Sequence, residues 1–372
     1  MKDIMGIINL SESEEAVKEL TYNRPIATIP IAGRYRVIDF TLSNMVNGGI
    51  HNVSIFTRGK SRSLMDHLGT GKDWDLDRTI DGLFVLNPVI NFHDITFYRG
   101  DIENFKNHID YIEYSKQNYV LLTRSYMICN VNYSEAFKYH KKSEADITII
   151  YKEMKNNCTK FLNFDTLNLD ERGKVLSIGR NTGKSKSYNM SMEMYIMKKQ
   201  LFLSIIQDSI STGDSEYLKQ SIFKSIKNLN VNAYPFNGYV SCINSIENYY
   251  KTNMELLDID ISDELFHKRG VIYTKTKNEP PTKYADSSNI INSIVANGCI
   301  IEGNVENSII GRGVKIGKGA VIKDSIIMRK STVEKCVYLN NVILDKYVYI
   351  TKGKVLSGDK KNPFVIKKNM TL

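Results

Sequence analysis

The sequence predicts an α/β domain built on a mostly parallel sheet, followed by a parallel β-helix. Three observations carry that expectation. Short apolar runs that read as buried strands alternate with helix-period segments in the first half of the chain. From about Asp286, isoleucines recur at a six-residue period with glycine-containing corners. Between the two textures stands Glu279-Pro280-Pro281-Thr282-Lys283, whose prolines can neither continue a helix nor join a central strand. The expected organisation is an α/β domain over 1–278, a linker over 279–285 and a hexapeptide-repeat domain over 286–372.

The elements follow in order. Residues 3–9 (Asp-Ile-Met-Gly-Ile-Ile-Asn) read as a buried first strand, and Glu14 to Leu20 can form a helical turn or two. Asn52-Val53-Ser54-Ile55-Phe56 is a second strand. Ile102, Phe105, Ile109 and Ile112 recur at 3-4-3 spacing, which predicts one amphipathic helix over 102–117. Tyr119-Val120-Leu121-Leu122 and Ile147-Thr148-Ile149-Ile150-Tyr151 are further buried strands of a sheet covered on both faces. The alternation weakens after Lys152, where Asp170-Glu171-Arg172-Gly173-Lys174 reads as a hairpin turn. Farther on, Ile294 and Ile300 lie six apart. After one longer step, Ile310, Ile316, Ile322 and Met328 recur every six, with Gly311-Arg312-Gly313 and Gly317-Lys318-Gly319 after two of them. An ordinary β-rich domain with coincidental isoleucines is the competing reading of this stretch.

A chain of 372 residues is long enough for two domains with real cores, and 42% hydrophobic with 24% charged residues is ordinary for a globular protein. No apolar run approaches the ~18 residues of a membrane span, and no signal-peptide core is recognisable. Five scattered cysteines without a CxxC pair, and six histidines without metal spacing, predict a reduced, cytoplasmic protein without structural zinc. The net charge of +9 is uneven: His267 to Leu372 carries 19 Lys/Arg against 8 Asp/Glu, a net of +11, and residues 1–266 carry 31 against 33, a net of −2. That is either a solubility bias or the footprint of an anionic ligand or acidic partner surface. No helix-turn-helix, RRM or basic-aromatic stripe accompanies it, which argues against nucleic acid.

The stretch Pro30-Ile31-Ala32-Gly33-Arg34-Tyr35-Arg36-Val37-Ile38-Asp39-Phe40-Thr41-Leu42-Ser43-Asn44 resembles the PFGGKYRIIDFxLSN segment of bacterial ADP-glucose pyrophosphorylases (glucose-1-phosphate adenylyltransferases). Thr57-Arg58-Gly59-Lys60-Ser61-Arg62-Ser63-Leu64-Met65-Asp66-His67 resembles that family's TQYKSxSLxxH segment, with His67 reading as structural. Tyr98-Arg99-Gly100-Asp101-Ile102-Glu103-Asn104 lies where the family has YxGTADA, with different details. Ser191-Met192-Glu193-Met194-Tyr195-Ile196 resembles SMGIYIF, with Glu193 replacing its glycine. The resemblance covers nearly the whole chain. It implies a nucleotidyltransferase (Rossmann-like) sheet followed by a left-handed parallel β-helix.

Adenylyl transfer needs a phosphate cradle, a bound metal to offset developing charge, and a positioned sugar phosphate. The family's cradle is a GGxGTRL loop; here the equivalent stretch is Ser11-Glu12-Ser13-Glu14-Glu15-Ala16-Val17. A carboxylate ~4 Å from a phosphate charge repels it by roughly 4 kcal/mol at an effective dielectric of 20. Ser11–Leu20 reads instead as a solvated helix with a capping box from Ser11 and Glu14. The family's metal aspartates lie in LSGDH and GYWRDVGT. The first region reads Leu122-Thr123-Arg124-Ser125-Tyr126-Met127, with Ser125 at the degenerate position and no acidic residue from Tyr119 through Ser134. In the second, Gly238-Tyr239-Val240-Ser241-Cys242-Ile243-Asn244-Ser245, Cys242 falls on the aspartate, and a lone thiol is a poor ligand for Mg²⁺. The sugar-phosphate lysine of EKP is absent from Ile178-Gly179-Arg180-Asn181-Thr182-Gly183-Lys184; Lys184 is a remnant or a surface-loop lysine. Arg24-Pro25-Ile26 replaces RAK, so that lysine is lost too.

This pattern is similar to the degenerate D-type branch of the family, found beside a catalytic subunit in Gram-positive glycogen synthesis operons. The resemblance implies a non-catalytic, modulating subunit without a cofactor of its own. Its partner would be a catalytic subunit carrying Mg²⁺, in a mixed oligomer, a heterotetramer, that makes ADP-glucose and diphosphate from ATP and glucose 1-phosphate. Association is expected through the C-terminal domain. Arg34 and Arg36, with Lys60 and Arg62, are candidates for an anionic sugar-phosphate effector, and pairing with scaffold carboxylates is the competing reading. Two rivals remain. An active sugar-phosphate nucleotidyltransferase with a rebuilt site would need new carboxylates near the sheet's C-terminal edge. A β-helix acyltransferase would need a catalytic histidine on the coils, and the last histidine, His267, precedes them.

Overall fold

The computed structural model describes residues 1–88, 100–155 and 160–372. They form two compact units: Met1–Ser11 with Thr41–Gly238, and Glu12–Phe40 with Tyr239–Leu372.

In the first unit the fully buried strand Ile4–Asn9 pairs in parallel with Asn52–Phe56 on one side and Tyr119–Thr123 on the other. Gly82–Leu86 extends the parallel edge beyond Asn52–Phe56. Both faces of such strands are covered, so their sequences are apolar throughout rather than alternating. Past Tyr119–Thr123 the sheet turns antiparallel. Ser187–Lys198 pairs with it and with Ile147–Lys155, beside which Val231–Pro235 runs parallel. Asp165–Leu169 and Val175–Arg180 form the predicted hairpin, closed where Asp170 N donates to Lys174 O. The long strand Ser187–Lys198 shifts register between Ser191 and Met194, and Glu193 at that bulge has φ +54°.

Two local readings of the sequence change. The helix predicted over 102–117 is two, Asp101–Asn107 and Ile109–Tyr114, because His108 leaves helical geometry and its Nε2 donates to Asn87 O at 2.7 Å. Its spacing still buries Ile102, Phe105 and Ile112. The capping box of Ser11 and Glu14 does not form. The first helical turn starts only at Glu15–Val17 without a side-chain cap, and Ser11 and Glu12 are buried rather than solvated. Gly100 approaches the backbone too closely for a side chain, since a Cβ there would lie 1.9 Å from Glu216 O. Tyr98 and Arg99 of the same motif lie outside the described residues.

The second unit contains a left-handed parallel β-helix of three five-stranded sheets. In one sheet Lys283, Ile300, Lys315, Thr332 and Tyr349 stack at steps of 17, 15, 17 and 17 residues. Its core is three apolar columns, among them Ile301–Ile316–Val333–Ile350 and Val305–Ile322–Leu339–Leu356. The six-residue period holds for Ile310, Ile316 and Ile322 but slips in the first coil. There Ile300 is 41% exposed and Ile301 faces inward, and Val295 rather than Ile294 pairs with Ile310. A one-residue slip reverses the face of a strand, so the longer step before Ile310 marks where the frame changes. Serine hydroxyls satisfy one corner coil by coil: Ser308 N donates to Ser293 Oγ, Ser325 N to Ser308 Oγ and Val342 N to Ser325 Oγ. Gly298 N donates to Pro280 O, and Lys283–Tyr284 is the first strand of a sheet.

Glu12–Phe40 is tied to the β-helix and to the helix Ile246–Glu255 by polar anchors. Arg24 donates to Asp345 Oδ2 at 2.9 Å with both side chains about 5% exposed. Tyr249 Oη donates to Pro30 O, and Ala32 N to Asn253 Oδ1. Gly33 has φ +72°, and a Cβ there would lie 3.0 Å from Ile310 O, so this turn accepts little but glycine. Among the described residues no helix is long and apolar enough to cross a membrane.

Removing one partner of a buried ion pair strands the other. Asp345→Ala should therefore lower stability to chemical denaturation by about 3–5 kcal/mol. A loss below about 1 kcal/mol would show that Arg24 does not depend on this carboxylate.

Candidate functional site

Ligands of open α/β sheets bind outside the carboxyl ends of the strands. In the first unit, the ends of Ile4–Asn9 and Tyr119–Thr123 border a cavity of about 20 Å³. It is lined by Asn9, Asp101, Leu122, Thr123, Arg124, Glu193, Tyr195, Leu218 and Lys219. A single water needs roughly 10–15 Å³. Small-molecule pockets start near ~300 Å³. Among the described residues, this part of the strand-end edge is occupied by the chain's own side chains.

Glu193 is the centre of that filling. The bulge in Ser187–Lys198 turns its side chain toward Arg124 Nε, 2.9 Å away, and Tyr126 Oη donates to it at 2.8 Å. Lys219, the second residue of the helix Leu218–Ser225, pairs with both Glu193 and Asp165. Burial alone would raise the Glu193 carboxyl, but Arg124 and Lys219, with hydrogen bonds from Lys219 and Tyr126, hold it at about 2. Asp165 shares Lys219 yet is pushed the other way: burial raises it, Lys219 opposes, and the Glu193 charge adds to the rise. The difference follows from geometry, because Glu193 has two close cations and a phenol. Burial, then Glu193 and Asp165, keep the Tyr195 phenol neutral. Glu193 also adopts the left-handed conformation, which costs a non-glycine residue roughly 1–2 kcal/mol.

Among the described residues, the carboxylates at this edge are engaged. Asp101 accepts from Asn9 Nδ2 at 2.6 Å and from Leu218 N at 2.7 Å, and Asp165 and Glu193 pair with cations. Mg²⁺ prefers hard oxygen ligands. Ser125 offers a fully buried hydroxyl, and Cys242 a buried thiol outside any disulfide. Neither fits the ion. Among the described residues no group of three or more His, Cys, Asp or Glu side chains is placed to hold a metal.

The other sequence candidates fall as follows. Lys60 and Arg62 are exposed residues of the first unit, at the start of the helix Arg62–Leu68. His67 is buried edge-on against Trp74. Lys184 is exposed, and Arg180 rather than Lys184 lines a polar cleft of about 330 Å³ with Thr166, Asn168 and Asn189. Arg34 and Arg36 belong to the second unit, on the turn and strand after Gly33, and there they join a basic cluster. Burial lowers Arg312, and Arg34 adds to the effect; Glu279 and Asp39 oppose it. Burial, then Arg24, Arg36 and Arg329, hold the Lys346 ammonium well below its usual range. Lys277 is lowered by burial, then by Lys275, Arg329, Arg312 and Arg36.

Sequence reading missed Arg124 and Lys219 as partners of Glu193. The one available signal was the substitution of a glycine by Glu193, since a charged residue at a left-handed position needs a specific reason.

A family model described as "Nucleotidyl transferase" matches residues 16–258, and one described as "GlmU-like, C-terminal hexapeptide" matches 280–364. The chain is 35% identical to "Glycogen biosynthesis protein GlgD" of Bacillus subtilis (strain 168), over 99% of its own length and 96% of the relative's. It is 39% identical to the protein of that name from Geobacillus stearothermophilus, over 98% and 96%. With a "Glucose-1-phosphate adenylyltransferase" of Clostridium perfringens (strain SM101 / Type A) it shares 30% identity over 96% and 93%. Matches of this extent, on a nucleotidyltransferase sheet followed by a hexapeptide β-helix, place the chain in the bacterial glucose-1-phosphate adenylyltransferase family, in its GlgD-type branch.

Proposed function

We propose that this chain is a non-catalytic, modulating subunit of a cytoplasmic glucose-1-phosphate adenylyltransferase in bacterial glycogen biosynthesis. It works in a mixed oligomer, a heterotetramer, with a catalytic subunit that binds Mg²⁺ and converts ATP and glucose 1-phosphate to ADP-glucose and diphosphate. The observation that carries this reading is the small size of the strand-end cavity. Arg124, Glu193 and Lys219 neutralise one another in the space a substrate would need. The residues at the family's metal positions, Ser125 and Cys242, supply no carboxylate. Phosphoryl-type transfer is mostly positioning and charge neutralisation, so losing the cradle and the metal together removes its main supports. Names of the relatives support the pathway. Exposed apolar residues on the β-helix, such as Tyr284, Ile291 and Val355, support association through that domain.

The same reading assigns an anionic sugar-phosphate effector to the cations around Arg34 and Arg36; Lys60 and Arg62 are secondary candidates. In the second unit burial first, and then neighbouring cations among them Arg34 and Arg36, depress Lys277, Arg312 and Lys346, with Glu279, Asp39 and Asp345 opposing at the last two. A bound phosphate would relieve that repulsion.

The purified chain alone should make ADP-glucose at least about a thousandfold more slowly than a catalytic subunit. Cys242→Asp by itself should not restore synthesis, because one carboxylate gives Mg²⁺ only part of its oxygen shell. Turnover near a catalytic subunit's, by either protein, would mean a rebuilt active site. Changing Arg34 and Arg36 together to alanine should abolish the response of the mixed enzyme to sugar-phosphate effectors. An unchanged response would remove this cluster as the effector site.

A further inference from the structure

The β-helix stacks cations at one of its corners. Arg312, Arg329 and Lys346 hold the same position on successive coils, since Lys330 N donates to Arg312 O and Tyr347 N to Arg329 O. Neighbouring parallel strands lie about 4.8 Å apart, so the three residues follow one another at that spacing. Lys346 is only 5% exposed. Its sequence neighbour Asp345 accepts from Arg24 at 2.9 Å and from Lys346 N at 2.6 Å. Among the described residues the Lys346 side-chain nitrogen has no hydrogen-bond or ion-pair partner. Burial, then Arg24, Arg36 and Arg329, hold that ammonium well below its usual range against the pull of Asp345, which favours the neutral amine. Around it stand donors that lack acceptors: Nε of Arg24, of Arg312 and of Arg329 are buried without a partner. Buried donors left unmet call for an explanation.

We infer that Lys346 is a carbamylation site: its amine adds carbon dioxide reversibly, and the resulting carbamate accepts hydrogen bonds from the guanidinium groups of this corner. In that step the Nζ lone pair forms a bond to carbon. One C–O π bond breaks, its electrons pass to oxygen, and Nζ releases one proton to water. Carbon dioxide is the only other reactant. A desolvated lysine beside other cations is an activated nucleophile. The product is a planar anion with two oxygens, the acceptor that guanidinium groups pair with best. Carbon dioxide suits the site better than larger electrophiles because Lys346 is almost closed to solvent. An aldehyde adduct would be neutral or cationic and would leave the Nε donors unmet. The inference goes beyond the effector assignment and does not rest on it: it makes this cluster responsive to dissolved carbon dioxide.

The test uses the full native chain. It is equilibrated near neutral pH with isotope-labelled bicarbonate, carbamates are trapped by ethylation with a trialkyloxonium salt, and the trapped adducts are located by peptide mass. Lys346 should carry at least about tenfold more label than exposed lysines such as Lys352 and Lys354, because an ordinary lysine is almost wholly protonated at that pH. Arg329→Met removes a guanidinium that both discourages protonation of the amine and meets the carbamate, so folded R329M should lose most of the label at Lys346. Native protein without label at Lys346, or with no more there than at Lys352, would overturn the inference whatever the variant does. Undiminished labelling of Lys346 in folded R329M would overturn it too. No effector is present in this experiment, so its failure would leave the effector assignment standing, and a failed effector assay would leave the carbamate standing.

Discussion

A carboxylate taken out of water must be met by charge at the same spot, and Glu193 imposes that requirement on the first unit. Its partners come from separate elements. Arg124 and Tyr126 follow the strand Tyr119–Thr123, and Lys219 opens the helix Leu218–Ser225 and reaches back to Asp165 on the hairpin. Asp101 fixes the same helix by accepting from Leu218 N, and holds Asn9 at the end of the first strand. The strand ends, the hairpin and the helix are thereby fastened to one point. Arg124 and Lys219 are thereby held by carboxylates of this chain itself.

The second unit shows the complementary pattern. What persists from the family is what holds the scaffold. Gly33 supplies a left-handed turn against Ile310 O. Tyr249 and Asn253 bind Pro30 O and Ala32 N, and Tyr250 Oη donates to Asp324 O and Asn341 Oδ1 of the β-helix. These residues flank Cys242 in sequence, which explains why its surroundings resemble the family's closely although its own side chain has changed.

Much of the fold was legible because its signals are periodic. The apolar run of Ile4–Asn9 and the spacing of Ile310, Ile316 and Ile322 each bury one face over several residues, so chance agreement is small. The failures came where a single residue changes phase. The shift between Ile300 and Ile301 reverses a face, and His108 splits a helix whose apolar spacing is intact. At the site the sequence offers differences from the family's motifs, at Ser125, Cys242 and the glutamates of the N-terminal segment. The replacement was not legible. Arg124, Glu193 and Lys219 are brought together by a bulge and a three-element convergence that no local pattern encodes. The gathering of Lys277, Arg312 and Lys346 near Arg34 and Arg36 likewise depends on how the β-helix coils stack.

If this chain works in a mixed oligomer, as we propose, the chemistry belongs wholly to the other subunit. The most direct measurement is ADP-glucose synthesis by the assembled oligomer after only the catalytic partner's metal-binding aspartates have been replaced, with assembly verified by mass. The account predicts that synthesis falls to the background of the reagents, because Ser125 and Cys242 cannot hold the metal and Glu193 fills the cleft. Synthesis that persists at a substantial fraction of the native rate would contradict it, since only the active site of this chain could then supply the turnover.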